Sequence, residues 1–376
     1  MFFALIIGAI VLVLTVEFFY LRNLISRILA FWGADTSQKN IKIIKYVIIL
    51  AMMGITAPLL TVVGMIGLHI VLASMVIDLV CLIIRLIIKK NPRVLKFIAV
   101  SGILPIVIGC SMVLYGYINM HSVDATEYTV KTEKVLGRDY KVAFLSDLHL
   151  GVSLDLEGIK EVCDEISAHD PDILVLGGDI VDESTEKDAM KQMFALMGGV
   201  KTKYGVYFVY GNHDIPRHPE LDSGEFSAAD LENAIISAGI TILTDDVVEI
   251  GGEITLIGHR DASFRGDETA SERESIENLM KQADKNKFAL LIDHQPREYD
   301  LAKNAGVDLV VSGHTHAGQI WPSGWVTTLI APNEQNYGHE VDGHFNTIVS
   351  SGIAGWSFPI KTEKHAEYLI ITITNN

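Results

Sequence analysis

Five short clusters of polar residues in the second half of the chain contain residue types that bind divalent metal ions. They read SDLHLG at 146–151, GGDIVD at 177–182, GNHD at 211–214, DHQP at 293–296 and GHTHAGQ at 313–319. Imidazole and carboxylate side chains are the ligands that hold Mn, Fe or Zn in proteins. Glycines beside them let the backbone turn sharply and let a substrate approach closely. The clusters therefore point to metal-dependent chemistry.

Two of the clusters place metal-ligand types two residues apart, Asp147 with His149 and His314 with His316. Side chains at i and i+2 of an extended chain point in the same direction, so each pair can face one site. A single pair can be a coincidence, and GNHD alone can be an ordinary turn because Asn and Asp favour turns. Five clusters in this order are much harder to obtain by chance, and we interpret them as one metal site.

Short apolar segments with the pattern of strands precede the clusters. The predicted strands are Tyr140–Leu145, Ile173–Leu176, Val206–Tyr210, Ile254–Ile257, Phe288–Ile292, Leu309–Val311 and Tyr368–Ile373. The predicted helices between them are Leu156–Ala168, Ser227–Ala238 and Glu268–Lys285. This alternation predicts an α/β layered sheet. Since ligands bind beyond the carboxyl ends of the strands in open α/β sheets, we expect the clusters to share one rim.

The set D-x-H, G-D-x-x-D, G-N-H-D, a later single His and G-H-x-H resembles the calcineurin-like metallophosphoesterases, over about residues 140–373. With the apolar segments that precede it, the chain is most similar to the bacterial membrane-associated branch of that family. The resemblance implies a four-layer αββα sandwich of the α/β class and two divalent metals bridged by one carboxylate. It also implies hydrolysis of phosphodiester or phosphomonoester bonds in a phosphate-ester substrate.

The resemblance assigns a role to each matching position. The first metal would be held by Asp147, His149, Asp179 and His316, and the second by Asp179, Asn212, His294 and His314, with Asp179 bridging. His213 would be the catalytic histidine, and Asp182 would hold its imidazole. Asp214 is expected to be a structural turn residue. The ligand types favour Mn or Fe, with Zn as the alternative, because a structural zinc site would favour cysteines.

Such a site is electrostatically coherent in an acidic domain. Two divalent ions bring four positive charges, which Asp147 and Asp179 offset only in part, so the centre can attract a phosphate. Metals ~3.5–4 Å apart clamp phosphate oxygens and lower the pKa of a bound water. His213 can then protonate the leaving oxygen or stabilise the transition state.

Some positions depart from the family pattern or have no place in it. The G-D-x-x-D segment continues as Glu183–Ser184 rather than the Arg-Gly of the protein-phosphatase branch, which weakens the case for phosphoprotein substrates. His259 and Arg260, in GHRD at 258–261, either line a substrate pocket or lie in a solvated loop. Lys361 either meets a substrate phosphate or is a surface charge.

Charge and apolar residues are distributed very unevenly along the 376 residues. The first 120 residues carry ten Lys and Arg against three acidic residues, whereas the remainder carries 20 against 43. This length and this contrast favour a membrane unit followed by a soluble unit. No nucleic-acid partner is expected, because phosphate backbones are drawn to basic surfaces. The three cysteines cannot build a disulfide framework, and Cys163 is expected in a helix core.

Four apolar segments are long enough to cross a membrane, which takes about 20 helical residues. They are Phe2–Leu21, two spans within Ile43–Ile88 with a turn near Pro58–Gly67, and Phe97–Ile118. A cleavable signal peptide fits the first segment badly, since no basic residue precedes it and no A-x-A site follows. We therefore predict a membrane domain at 1–120, a linker at 121–139 and a metallophosphoesterase domain at 140–376.

Basic residues in the short loops predict the orientation of the spans. Arg and Lys cluster between spans one and two and between spans three and four, whereas the turn between spans two and three has no charge. The positive-inside rule then places both basic loops in the cytoplasm and the catalytic domain outside the cell membrane. The lipid bilayer is thus an expected partner, and a lipid or envelope phosphate is the substrate hypothesis, because tethering raises its effective concentration.

Asp78 lies in the third span, where an ionisable group is costly unless it is paired. We expect either a relay site with His69 or Arg85 as partner, or a polar contact between helices. A channel or transporter with an attached enzyme is one alternative function, supported only by Asp78 and His69. A non-enzymatic metal-binding scaffold or regulator is another alternative. The sequence argues against it, because suitable residue types occupy all the expected ligand positions and His213 is present.

Overall fold

The computed structural model describes residues 2–56, 61–182, 185–214, 226–264, 273–330 and 333–376. The chain divides into two compact units, Met1–Tyr115 and Gly116–Asn376. The predicted linker at 121–139 is wrong, because Val123–Thr132 is a ten-residue strand paired in register with the C-terminal strand. Its polar residues had suggested a linker, but a strand at the edge of a sheet keeps many side chains in solvent.

The first unit is helical. Its helices are α1 Phe2–Phe31, α2 Lys39–Thr56, α3 Val62–Ile88, α4 Arg93–Val100 and α5 Ile103–Met120, whose last turn belongs to the second unit. Among the described residues, two helices are long and apolar enough to cross a membrane, α3 and α5. Three lysines lie in the first seven residues of α2.

Two predicted boundaries in this unit can be compared with the structure. The predicted turn near Pro58–Gly67 falls partly on residues 57–60, which lie outside the described residues, and α3 already begins at Val62 after its cap Thr61. The predicted single span Phe97–Ile118 is interrupted between α4 and α5, where Gly102 has φ +77°. A left-handed glycine ends a helix readily, because it lacks a Cβ.

Asp78 of α3 forms an ion pair with α1. Its two carboxylate oxygens accept from the Arg27 guanidinium at 2.9 and 2.5 Å, and Tyr20 Oη donates to it at 3.1 Å. The structure thus pairs Asp78 with Arg27 and Tyr20 rather than with His69 or Arg85. His69 Nδ1 donates instead to Met65 O, one turn earlier in its own helix. A polar contact between two helices is the interpretation that this geometry favours.

The second unit contains two six-stranded mixed sheets. The first sheet has the order β1-β12-β2-β3-β4-β5, with β1 Val123–Thr132, β2 Tyr140–Leu145, β3 Ile173–Leu176, β4 Val206–Val209, β5 Thr241–Leu243 and β12 Ala366–Asn375. The second has the order β10-β11-β9-β8-β7-β6, with β6 Asp246–Ile250, β7 Ile254–Gly258, β8 Phe288–Ile292, β9 Leu309–Ser312, β10 Gly338–Asp342 and β11 Phe345–Val349. Strands β2 to β5 are parallel, and so are β7, β8, β9 and β11.

Helices cover the outer faces of both sheets. They are α6 Leu156–Ala168, α7 Lys187–Gly198 and α8 Ala228–Ser237 on the first sheet, then α9 Ile276–Met280 and α10 Tyr299–Ala305 on the second. A further helix, α11 Ser323–Ile330, follows the last polar cluster. One core joins α6, α7 and α8 to the first sheet, a second lies between the sheets, and a third joins α9 and α10 to the second sheet. The resulting order of layers is helix, sheet, sheet, helix, as the resemblance predicts.

Alternation along the strands explains these layers. In β2, Val142 and Phe144 pack in the core between the sheets, whereas Ala143 and Leu145 pack against the helices. The strand is therefore apolar on both faces, which is typical of a parallel strand covered on each side. All seven predicted strands are present with ends within two residues. Of the predicted helix Glu268–Lys285, Ile276–Met280 is helical, and residues 268–272 lie outside the described part.

Candidate metal centre

The five polar clusters follow β2, β3, β4, β8 and β9, at the carboxyl ends of parallel strands. Backbone hydrogen bonds join them to one another. Asp147 N donates to Gly178 O at 3.0 Å, and Gly313 N donates to His294 O at 3.0 Å. A side-chain contact joins the two sheets, because Asp147 Oδ1 accepts from His314 N at 2.8 Å. The structure thus brings the five clusters together on one rim.

Five of the predicted ligand residues hold left-handed backbone angles although none is glycine. The φ values of Asp147, His149, Asp179, His314 and His316 lie between +42° and +70°. This conformation is uncommon for side chains with a Cβ and costs on the order of 1 kcal/mol or more per residue. Each tight turn directs a ligand side chain back over the strand ends. Strain of this kind concentrates at functional sites.

The ligand side chains form two buried groups. Ligand atoms of Asp147, His149 and His316 lie within 4.8 Å of one another, and so do those of Asp179, His294 and His314. Asp179 Oδ2 lies 3.0 Å from His294 Nε2 in its own group and 3.9 Å from His149 Nε2 in the other. This is the position that a bridging carboxylate between two metals requires.

The donor atoms in these groups suit divalent metal ions. Asn212 Oδ1 and His149 Nε2 are buried and have no hydrogen-bond partner within the described part of the chain. An unpaired buried polar atom costs about 1–3 kcal/mol, which coordination to a metal would offset. His294 Nδ1 donates to Gly177 O at 2.8 Å, so its Nε2 is left for a metal. A second hydrogen bond of this kind orients most metal-binding histidines.

Charge around Asp179 favours ion pairing even without a metal. Burial works against both charges of the contact between Asp179 and His294. The attraction between them nevertheless raises the pKa of His294 well above its ordinary value and lowers that of Asp179. Burial and the charge of His294 lower the pKa of His314 to about 4, so its imidazole is neutral and can act as a ligand near pH 7.

His213 lies at the edge of the two groups. Its backbone N–H donates to Asp179 Oδ1 at 2.7 Å, and its ring centre lies 5.1 Å from that of His149. Asp182, which the resemblance places behind His213, has its carboxylate 3.4 Å from His149 Nδ1. This geometry favours support of the ligand His149, in the carboxylate–histidine–metal arrangement common to such sites.

Asp214 is a structural residue, as the sequence predicts. Its buried carboxylate accepts four backbone N–H groups, from Gly211 and from residues 179, 180 and 181, at 2.7–3.1 Å. It thereby ties the turn that carries Asn212 and His213 to the turn that carries Asp179. Burial and the nearby charge of Asp179 raise the pKa of Asp214 to about 6.

Two of the three unassigned residues, His259 and Lys361, are buried rather than exposed. His259 is buried, with Nδ1 3.1 Å from Asp293 Oδ2 and Nε2 2.9 Å from Glu274 O, so it supports the loop that precedes His294. Arg260 lies 3.5 Å from Asp245. Lys361 is fully buried and donates to backbone carbonyls, which is neither a surface charge nor a substrate contact.

Two residues beside the site carry no clear sequence signal. The ring centre of Trp356 lies 5.8 Å from that of His213, and Trp356 is 37% exposed. Gln319, the last residue of GHTHAGQ, has a buried side chain whose amide donates to the carbonyls of Trp356, Phe358 and Ile360 and accepts from Trp356 N. It holds Trp356 at the rim. The position of this glutamine at the end of the cluster that contains His314 and His316 was a sequence signal for its role beside the site.

Comparison with known proteins agrees with this geometry. The family profile for calcineurin-like phosphoesterases matches residues 140–318. An uncharacterized metallophosphoesterase of Helicobacter pylori is 31% identical over 230 residues, which are 60% of this chain and 57% of that protein. One from Aquifex aeolicus is 28% identical over 69% of this chain and 95% of that protein. A transmembrane protein with metallophosphoesterase domain from Bos taurus is 26% identical, over 60% of this chain and 51% of that protein.

Among solved structures, a dimetal phosphatase from Danio rerio is similar with a TM-score of 0.40 and 12% identity, over 62% of this chain and 91% of that chain. A purple acid phosphatase from yellow lupin is similar with a TM-score of 0.42 and 12% identity, over 64% and 55%. The matched region of this chain spans 57% of the length of the Helicobacter relatives.

Proposed function

We propose, from the calcineurin-like metallophosphoesterase domain that this chain contains, that the protein hydrolyses phosphate esters at a centre of two divalent metal ions. The observation that carries the proposal is the pair of buried ligand groups that share Asp179. The first ion would take Asp147, His149, Asp179 and His316, and the second Asp179, Asn212, His294 and His314. Mn or Fe suits these ligands, with Zn as the alternative.

The chain supplies the groups that such a reaction needs. When bound, two divalent ions polarise the phosphate oxygens and activate a water molecule for in-line displacement. His213, whose ring centre lies 5.1 Å from that of the ligand His149, would donate a proton to the leaving oxygen. Its backbone contact with Asp179 fixes the turn that carries it. Asp182, whose carboxylate lies 3.4 Å from His149 Nδ1, would help to orient that ligand.

We further propose that residues 1–120 cross the membrane four times and leave the catalytic domain outside the cytoplasm. The helices α3 and α5 and the two basic loops support this arrangement. A phosphodiester or phosphomonoester of the membrane or envelope is then the favoured substrate, because tethering keeps it at high local concentration.

The first test measures hydrolysis by the full-length protein in detergent. Bis-p-nitrophenyl phosphate and p-nitrophenyl phosphate are compared with Mn²⁺ and after chelation. His213→Ala is expected to lower kcat about 100-fold or more, the usual contribution of general acid catalysis. Asp179→Asn is expected to remove both turnover and one or both metals. His344→Ala, in the exposed turn between β10 and β11, is the matched control and should keep wild-type rates.

Each outcome separates two functions. Wild-type turnover in His213→Ala or Asp179→Asn would contradict the proposed catalytic site. Two bound Mn²⁺ ions without hydrolysis of either ester would favour a metal-binding scaffold or regulator. For the membrane substrate, phospholipid phosphate in mixed micelles is compared with soluble nucleotides. Rapid turnover of nucleotides without turnover of the lipid would contradict the envelope proposal.

A further inference from the structure

Lys361 lies fully buried in the second unit, and among the described residues its Nζ donates to groups of one loop. Its Nζ contacts the backbone carbonyls of Ser351, Gly352 and Ala354, the latter two at 2.9 and 3.3 Å, and Ser351 Oγ at 3.3 Å. An ammonium group has three N–H donors, which match three carbonyl oxygens. We call residues 350–354 the support loop, because its other contacts reach the metal ligands.

The support loop lies directly against Asp147. Its residues Ile353 and Ala354 donate their backbone N–H groups to the carbonyls of Ser146 and Asp147, at 3.0 and 3.2 Å. Gly352 has φ +79°, and a Cβ placed on it would lie 2.6 Å from Asp147 Cβ. The approach is so close that a movement of the loop must move this ligand as well.

The same loop orients His316. Ala354 O accepts from His316 Nδ1 at 3.4 Å and from Lys361 Nζ at 3.3 Å. A hydrogen bond at one ring nitrogen sets the direction of the other, so this carbonyl directs His316 Nε2 towards Asp147 Oδ1, which is 3.6 Å away. Lys361 therefore fixes the carbonyl on which the orientation of a ligand depends.

The buried carboxylate of Glu367 accepts hydrogen bonds from N–H and O–H groups of the support loop. Glu367 Oε1 accepts from Ser351 N at 2.8 Å and from Ser350 Oγ at 3.3 Å. Removing two charges from water costs several kcal/mol per ion, and apolar residues of similar size often stabilise a protein as well or better. A gain in stability therefore explains a buried lysine here only weakly. A need to hold the support loop in one conformation explains it better.

We propose that Lys361 is a positioning residue for the metal group Asp147, His149 and His316, acting through the support loop. The proposal rests on the two-metal centre of the proposed function. It concerns this group because the contacts nearest Lys361, those of Gly352, Ile353 and Ala354, reach Asp147 and His316. A purely structural lysine would affect both metals equally or neither.

The test measures Mn²⁺ binding to the full-length protein in detergent, by competition with a chelator and by metal content. Lys361→Met keeps the length of the side chain and removes its donors. One Mn²⁺ is expected to bind about 10–100-fold more weakly, the usual effect of losing an outer-shell partner, while the other keeps its affinity. Lys364→Met, at an exposed lysine three residues away, is the matched control and should bind as wild type.

Double variants assign the weakened site. Lys361→Met should add nothing to the loss caused by His316→Ala, because both act on the same group, and should add fully to Asn212→Ala, which acts on the other. If Lys361→Met does not fold, Lys361→Gln, which keeps one N–H donor group, replaces it throughout. Wild-type affinity at both metals in the folded variant, or additivity with His316→Ala, would overturn the proposal. These titrations are independent of hydrolysis, so a wild-type protein that binds two metals without activity refutes the proposed function alone.

Discussion

At the scale of single residues, five of the metal-ligand residues have backbone conformations that are unfavourable for residues with a Cβ. The left-handed conformations of Asp147, His149, Asp179, His314 and His316 and the unpaired Asn212 Oδ1 all raise the free energy of the metal-free fold. Metal binding offsets this cost only in the folded state. The site is therefore expected to couple metal binding to stability.

Metal removal should lower the unfolding temperature of the second unit. A ligand at 100 times its dissociation constant stabilises a folded protein by about 2.7 kcal/mol. Tryptophan fluorescence follows this unit well, because Trp321, Trp325 and Trp356 all lie in it. Mn²⁺ added after chelation should raise the midpoint temperature of unfolding. In Asp179→Asn this increase should be mostly absent. Equal midpoints with and without Mn²⁺ would contradict the coupling.

Asp214→Asn should destabilise the second unit and weaken metal binding. An amide cannot accept four N–H groups as a carboxylate does, and its own NH₂ group would face some of them. We expect a loss of about 3 kcal/mol, the order for buried hydrogen bonds to a charged group. Thermal unfolding measures it, and Asp188→Asn, whose side chain is 88% exposed, serves as the control. A change as small as in that control would show that the carboxylate does not hold the two turns.

At the scale of elements, parallel strands determine where the chemistry lies. Because β2, β3 and β4 run in the same direction, as do β8 and β9, their following loops meet at one rim. The helical unit uses a different device, an ion pair that joins α1 to α3 through Arg27 and Asp78. In an apolar region such a pair specifies which helix faces are in contact, since either charge alone is costly.

The ion pair gives a prediction about helix packing. Arg27→Leu and Asp78→Leu each leave an unpaired charge and should lower the temperature at which the detergent-solubilised protein loses its monodisperse elution peak. The double variant removes both charges, so this temperature should decrease less in it than in either single variant. Mn²⁺ binding should stay at wild-type affinity in all three. Additive losses in the double variant would show that the two residues act independently.

At the scale of the whole molecule, the proposed orientation can be tested with reporter fusions. The basic loops predict that residues near Lys90 lie in the cytoplasm and that the C-terminus lies outside. Alkaline phosphatase, which is active only outside the cytoplasm, should be active when fused after Asn376 and inactive when fused after Lys90. A fluorescent protein that folds only in the cytoplasm should give the reverse. The opposite pattern would reject the orientation and, with it, the envelope substrate.

The sequence by itself determined the residue types, their order and the strands that carry them. Apolar segments buried on both faces are continuous, so β2, β3 and β8 were predicted with their observed ends. The position of the polar clusters after such strands predicted one shared rim. The ligand groups Asp147, His149, His316 and Asp179, His294, His314 were implied by the resemblance to calcineurin-like metallophosphoesterases, and the structure brings each group together. Among the described strands, β1, β5, β6, β10 and β11 escaped prediction. The first four are edge strands that leave side chains in solvent and therefore have the composition of a linker or loop, whereas β11 is an inner strand that is buried throughout, so this reason does not apply to it.

Only the tertiary structure decided the contacts that join residues far apart in the chain. Lys361 looks like a surface charge in its local sequence, and its burial follows from a loop that folds back on Asp147 more than 200 residues earlier. The partner of Asp78 lies 51 residues away in α1, and the carboxylate of Asp182 lies 3.4 Å from His149 of a different polar cluster. Local sequence constrains backbone conformation and burial pattern, whereas such pairings arise from the packing of whole layers, which no local pattern encodes.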